Sequence, residues 1–158
     1  SIVLTDIRAK INGLILLKYL YKCIEKIKEV KDTNVLLVHK SENIYGMPIS
    51  EFLDELGKSL VMSGVYSNAE EVQSHIEFSI LSDLKPLEAD VVIFLQITSD
   101  IIPSINSTSA LFEAFGENIL VNLTDQLRLF YVAMTRAKSK IFIFTEKDKE
   151  SEFLEYLK

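Results

Sequence analysis

One stretch carries residue types that can do chemistry. It reads Arg128-Leu129-Phe130-Tyr131-Val132-Ala133-Met134-Thr135-Arg136-Ala137-Lys138, and it contains two of the three arginines in 158 residues. Leu127, Phe130, Tyr131 and Met134 recur at helical spacing, and Ile141-Phe142-Ile143-Phe144 follows as an apolar run of strand length. Arg128, Thr135 and Arg136 therefore stand on an apolar helix that runs into a buried strand. Two readings are open. Cations in a last helical turn complement the helix dipole. Alternatively, an arginine at a helix end near a sheet edge can grip two phosphate oxygens with one permanently charged guanidinium.

The other candidate chemistries are thin. A single Cys excludes an internal disulfide framework and a cysteine-cluster zinc site. His39 and His75 have no partners at metal-ligand spacing and read as structural or surface groups. Cys23 falls on an amphipathic segment and reads as a core residue. No Gly-x-x-x-x-Gly-Lys-Ser/Thr loop occurs, so the chain carries no Walker A phosphate cradle, and no Asp-Glu pair of Walker B type follows a buried strand.

Charge sets a further bound. Seventeen Lys and Arg against 23 Asp and Glu leave a net charge of −6, which argues against strong autonomous nucleic-acid binding. Apolar residues make up 48% and charged residues 25%, the balance of a globular chain and not of a disordered one. Apolar runs are interrupted by Lys, Asp or Asn before reaching membrane-spanning length, so no membrane partner is expected. The absence of a signal-peptide pattern and the initial Ser lead us to expect a cytoplasmic piece of a longer protein, organised as a single domain over 1–158.

The elements that must position the arginines read as alternating helices and strands. Residues 5–30 are predicted as one long helix, capped by Thr5 or Asp6, with Ile7, Ile11, Leu14, Leu17, Tyr21, Ile24 and Ile27 on one face. Val35-Leu36-Leu37-Val38 is a strand, and Gly46-Met47-Pro48 a loop. Ile49 to about Leu60 is a helix capped by Ser50, and Ser67-Asn68 caps a short helix. Residues 76–81 and 91–95 are strands, with a turn at 84–88 and a surface loop at 97–109. Thr108 to Phe115 reads as a short helix stopped by Gly116, Thr124 as the start of the next, and 150–157 as a terminal helix. The alternation implies an α/β domain with a mainly parallel sheet flanked by helices.

Tyr131-Val132-Ala133-Met134-Thr135-Arg136-Ala137-Lys138, with Arg128 and Leu129 before it, resembles motif VI of the superfamily 1 helicases of the UvrD/Rep type. The resemblance implies the C-terminal, second RecA-like domain of an ATP-dependent DNA helicase: a P-loop-NTPase-like, three-layer fold without its own Walker A. By that resemblance Arg136 is an arginine finger, placed by Thr135 and Tyr131, that reaches the γ-phosphate of ATP, while Arg128 holds the helix in the domain. Such fingers are worth roughly 10³–10⁵ in rate. ATP and Mg²⁺ would be held mainly by an N-terminal RecA-like domain, and single-stranded DNA would be the track.

Lys85-Pro86-Leu87-Glu88-Ala89-Asp90-Val91-Val92 resembles the second half of motif V, which implies that Lys85 and Glu88 face the nucleotide, Glu88 at the ribose. Leu4-Thr5-Asp6-Ile7-Arg8 resembles motif IV, which brings Arg8 toward the γ-phosphate, and Val35 to Ser41 resembles a family strand ending in Arg, with Lys40 in that place. Three positions depart from the family. Ile80 replaces Thr, Ser82 replaces His and Pro86 replaces Gly, all in the part of motif V that leans toward DNA. The alternative reading is therefore a helicase-like ATP switch coupled to a protein partner or a fused nuclease.

Overall fold

A computed structural model describes residues 2–7, 13–28, 33–84, 88–98 and 116–146, with Ser151 and Leu154. Five parallel strands form the central sheet in the order β1-β7-β6-β2-β5. They are β1 (Ile2–Ile7), β2 (Val35–His39), β5 (Ile76–Ile80), β6 (Ala89–Phe94) and β7 (Ala137–Glu146). A small antiparallel hairpin, β3 (Asn43–Ile44) and β4 (Met47–Pro48), follows β2. The helices are α1 (Gly13–Lys28), α2 (Ile49–Met62), α3 (Ala69–His75) and α4 (Gly116–Met134).

The strand runs are apolar throughout because both sheet faces are covered. Val35 and Leu37 of β2, with Val91, Ile93 and Leu95 of the β6 segment, pack against Leu16, Leu20, Ile24, Phe52, Leu56 and Leu60 of α1 and α2. The alternate residues Leu36, Val38, Val92 and Phe94 pack on the other face with Phe130 and Ala133 of α4 and with Leu154. A period of two thus divides each strand between two cores and produces the three layers. Phe94 and Phe130 tie the second core together, with ring centroids 4.6 Å apart and planes at 36°.

Several elements start elsewhere than the sequence pattern predicts. Residues 5–30 are not one helix. Ile2–Ile7 is the edge strand β1, in parallel register with Ile141–Glu146, and α1 begins at Gly13. Thr5 and Asp6 therefore do not cap α1; the pairing with β7 overrides local periodicity. Ser50 is not a cap either: α2 begins at Ile49 after Pro48, and the Ile49 N–H donates to the Glu42 carbonyl at 2.8 Å. Gly116 opens α4 instead of closing a helix, and Thr124 lies inside it. Residues 99–115, most of the predicted 97–109 loop and the 108–115 helix, lie outside the described residues, as do all but two residues of the predicted terminal helix.

Other predictions hold. Asn68 caps α3, its Oδ1 accepting from the Glu71 N–H at 2.9 Å. The hairpin turns through Tyr45 and Gly46 with φ of 50° and 80°, the positive pair that a two-residue type I′ turn requires. Gly46 supplies that geometry without strain, but Met47 and Pro48, predicted as part of the loop, belong to β4.

Candidate functional site

Arg136 sits in the two-residue turn between α4 and β7. The turn is fixed by the backbone. The Thr135 N–H donates to the Tyr131 carbonyl at 3.0 Å, and the Arg136 N–H donates to the Ala133 carbonyl at 3.1 Å. Thr135 Oγ1 donates to the Val132 carbonyl at 2.6 Å, which closes another open acceptor of the last turn. Buried Phe130 and Ala133 hold this end of α4 on the sheet, while Tyr131, Val132 and Thr135 are exposed on its outer side.

The start of β6 is tied to the same turn. Ala89 N–H donates to the Arg136 carbonyl at 2.9 Å, and Ala89 stands opposite Ala137 in the ladder. An irregularity between Ala89 and Val91 then shifts the register. Within this irregularity the Asp90 carbonyl accepts from Ser139 Oγ at 2.7 Å, and Asp90 Oδ2 accepts from the Asn34 N–H at 2.9 Å. The amino ends of β2, β6 and β7 are thereby locked together, and this edge of the sheet carries Glu88 and Arg136. Exposed Glu88 lies 3.8 Å from Lys138 Nζ, a solvent-screened pair of little energetic weight. Beside it opens a hollow of about 140 Å³ lined by Asn34, Ser74, His75, Glu77 and Glu88 among others.

Arg136 itself is half-buried, and its Nε is buried without a hydrogen-bond partner. Among the described residues it forms no ion pair. A guanidinium N–H withdrawn from water and left without an acceptor costs about 1–3 kcal/mol. An incoming anion at this edge would lower that cost.

The structure brings Arg136, Thr135, Tyr131 and Glu88 to one edge. Lys85 and Arg8 lie outside the described residues. Ile7, the last residue of β1, stands opposite Glu146 at the far end of β7 from Arg136. Arg128 does not anchor its helix to the sheet. It is exposed and faces Asp125 of the same helix at 3.6 Å, one turn earlier, because the apolar side of α4 is taken by Leu127, Phe130 and Ala133.

A polar cluster at the opposite edge of the sheet escapes sequence reasoning. Buried His39 closes β2, and its Nε2 donates to Gln96 Oε1 at 3.2 Å when that nitrogen carries the proton. Nδ1 then accepts from the Ser41 N–H at 3.2 Å. Gln96 Oε1 also accepts from the Tyr45 N–H at 3.3 Å, and the Tyr45 hydroxyl donates to Glu146 Oε2 at 3.1 Å. Gln96 holds a φ of 50°. Burial pushes the His39 pKa down, and partial burial pushes Lys40 down as well. The one sequence signal was a polar Gln immediately after the Val91–Leu95 run. Ser82, at a departure from motif V, is exposed in the turn after β5, where the Asp83 N–H returns to the Ile80 carbonyl at 3.0 Å.

With this geometry in hand, comparison with known proteins decides the family. The family model described as the UvrD-like helicase C-terminal domain matches residues 9–148. The chain belongs to that family. Among solved structures, the C-terminal domain of a possible DNA helicase from Lactobacillus plantarum WCFS1 is similar at a TM-score of 0.53 and 14% identity. That similarity covers 98% of this chain and 77% of the other, and at such identity it speaks for the fold alone. No curated protein matches the chain. Among the described residues, no helix is long and apolar enough to cross a membrane.

Proposed function

We propose that this UvrD-like domain is the second motor domain of an ATP-dependent DNA helicase or translocase, and that Arg136 is its arginine finger. The observation that carries the reading is the buried, partnerless Nε of Arg136 at the amino edge of β6 and β7. In the intact protein an N-terminal RecA-like domain holds ATP, and closure of the two domains brings the γ-phosphate to this edge.

The chain's own residues then have distinct tasks. Arg136 donates hydrogen bonds to the phosphoryl oxygens and offsets the charge that builds on them during transfer. Thr135 and Tyr131 hold the turn that aims it. Glu88 accepts hydrogen bonds from ribose hydroxyls, a role for which an ionised carboxylate has the acceptors. Lys85 adds positive charge toward the phosphates. Among the described residues no three His, Cys, Asp or Glu side chains converge. Mg²⁺ is left to the N-terminal domain. Opening and closing of the cleft steps the protein along single-stranded DNA.

The second reading, an ATP switch read by a protein partner or fused nuclease, is favoured by Ile80 and exposed Ser82 at the altered half of motif V. The ATPase rate of the full-length parent, with and without single-stranded DNA, separates the two. Strong stimulation is expected of a DNA motor. Measurable turnover that ignores DNA would select the switch and overturn the motor reading.

A further inference from the structure

The net charge of this chain is concentrated in one place. Residues 49–77, which contain α2 and α3, hold six carboxylates and one lysine, and so account for five of the six net negative charges. Lys58 is already paired with Asp54 at 3.1 Å. Glu51, Glu55, Glu70 and Glu77 are exposed and form no ion pair among the described residues.

The same two helices enclose an apolar groove of about 500 Å³. Its lining includes Leu53, Gly57, Val61 and Met62 from α2, with Ala69 and Val72 from α3, and the paired Asp54 and Lys58 of α2. The α2 positions 50, 53, 54, 57, 58 and 61 recur at three and four residues, so one helix face forms one wall. Gly57 contributes no side chain to that wall, and a Cβ there would only touch Val72 at 3.8 Å. Met62 leaves 87% of its surface in water at the end of the groove. A lone exposed methionine needs no explanation, but this one belongs to the lining of a concave apolar groove.

We propose that the α2–α3 groove docks a lysine- or arginine-rich amphipathic helix of a protein partner. The apolar face of such a helix would fill the groove with residues at i, i+3, i+4 and i+7. Its cations would meet the negative field of the two helices, with Glu51 and Glu70 next to the lining positions Ser50 and Ala69, a complementarity that mainly raises the association rate and selects against acidic partners. The same charge disfavours nucleic acid and anionic membrane as occupants. Neither Arg136 nor Glu88 lines the groove, so the proposal stands apart from the nucleotide-facing edge.

The test uses the whole chain and a labelled synthetic Leu/Lys amphipathic helix of about five turns, with a scrambled peptide of equal composition as comparison. Fluorescence anisotropy should show the amphipathic peptide binding at least about tenfold more tightly than the scrambled one. Val61→Gln with Met62→Gln, at partly or fully exposed sites that the fold does not need, should remove that advantage. Glu51→Gln and Glu70→Gln together should weaken binding and flatten its dependence on salt. Arg136→Ala should leave binding unchanged, which separates this proposal from the helicase reading. Equal binding of both peptides, or full binding by the Val61/Met62 variant, would overturn it. So would a concentration-dependent dimer abolished by the same variant, since a second copy would then fill the groove.

Discussion

The Ala89 N–H and the Arg136 carbonyl meet at 2.9 Å, and this bond joins the strand carrying the motif V remnant to the turn carrying motif VI. Glu88 and Arg136 are 48 residues apart in the chain, yet this bond and the Ala89–Ala137 pairing bring them to one sheet edge. Ala89→Pro tests that link, because proline has no N–H to donate. We expect the variant to lose about 1–3 kcal/mol of stability through an unsatisfied carbonyl. In the full-length parent it should also lower ATP turnover more than ATP binding. Urea unfolding and steady-state kinetics read the two effects, and a variant with unchanged turnover would show that the edge needs no such tie.

Cys23 should be chemically quiet. Burial pushes its thiol up to about 12, against 9.0 for an unperturbed one, so at a given pH roughly a thousandfold less thiolate is present. Iodoacetamide at mildly alkaline pH should alkylate the native protein far more slowly than the urea-unfolded chain. Equal rates would mean that α1 opens readily from the sheet. Cys23→Ser should leave ATP turnover of the parent intact.

His39 links stability to acid. Its folded pKa lies below the ordinary value of 6.5, with burial the first cause. The unfolded chain therefore binds the proton more readily than the native one between the lowered value and 6.5. By linkage, the stability due to neutral His39 is fully present above 6.5 and is lost as pH falls toward the folded value. Urea midpoints measured from neutral pH downward should fall across this window, and His39→Gln should flatten the fall. Parallel curves for the two proteins would contradict this assignment.

Much of the architecture was legible because buried parallel strands leave a plain mark. Val35–Val38, Val91–Leu95 and Ile141–Phe144 are unbroken apolar runs, and all three lie in the sheet. Asn68 was legible as a cap because a short side-chain oxygen there acts on an N–H three residues away. The misreadings share a cause. β1 owes its conformation to β7, more than 130 residues away in sequence, so the local helical spacing of Ile7, Ile11 and Leu14 misled. The start of α2 depends on a carbonyl from Glu42, and no side chain signals it.

The candidate site divides in the same way. Residue order puts Arg136 and Glu88 forward as candidates, and the ladder explains why they share an edge. Arg128 could not be placed, since its role depends on which side of α4 meets the sheet. The His39–Gln96–Tyr45 cluster joins groups from β2, the hairpin and the end of β6. No local pattern announces such a meeting.

The proposed motor function turns on contact between Arg136 and the transferring phosphoryl group. The most direct measurement is kcat for ATP hydrolysis by the full-length parent carrying Arg136→Ala or Arg136→Lys. An arginine finger at this position should give a fall of roughly 10³-fold or more for alanine. Lysine, whose point charge lacks the planar fork, should give nearly as large a fall. Turnover within about threefold of the unmodified parent for both variants, well short of what loss of an arginine finger costs, would contradict it.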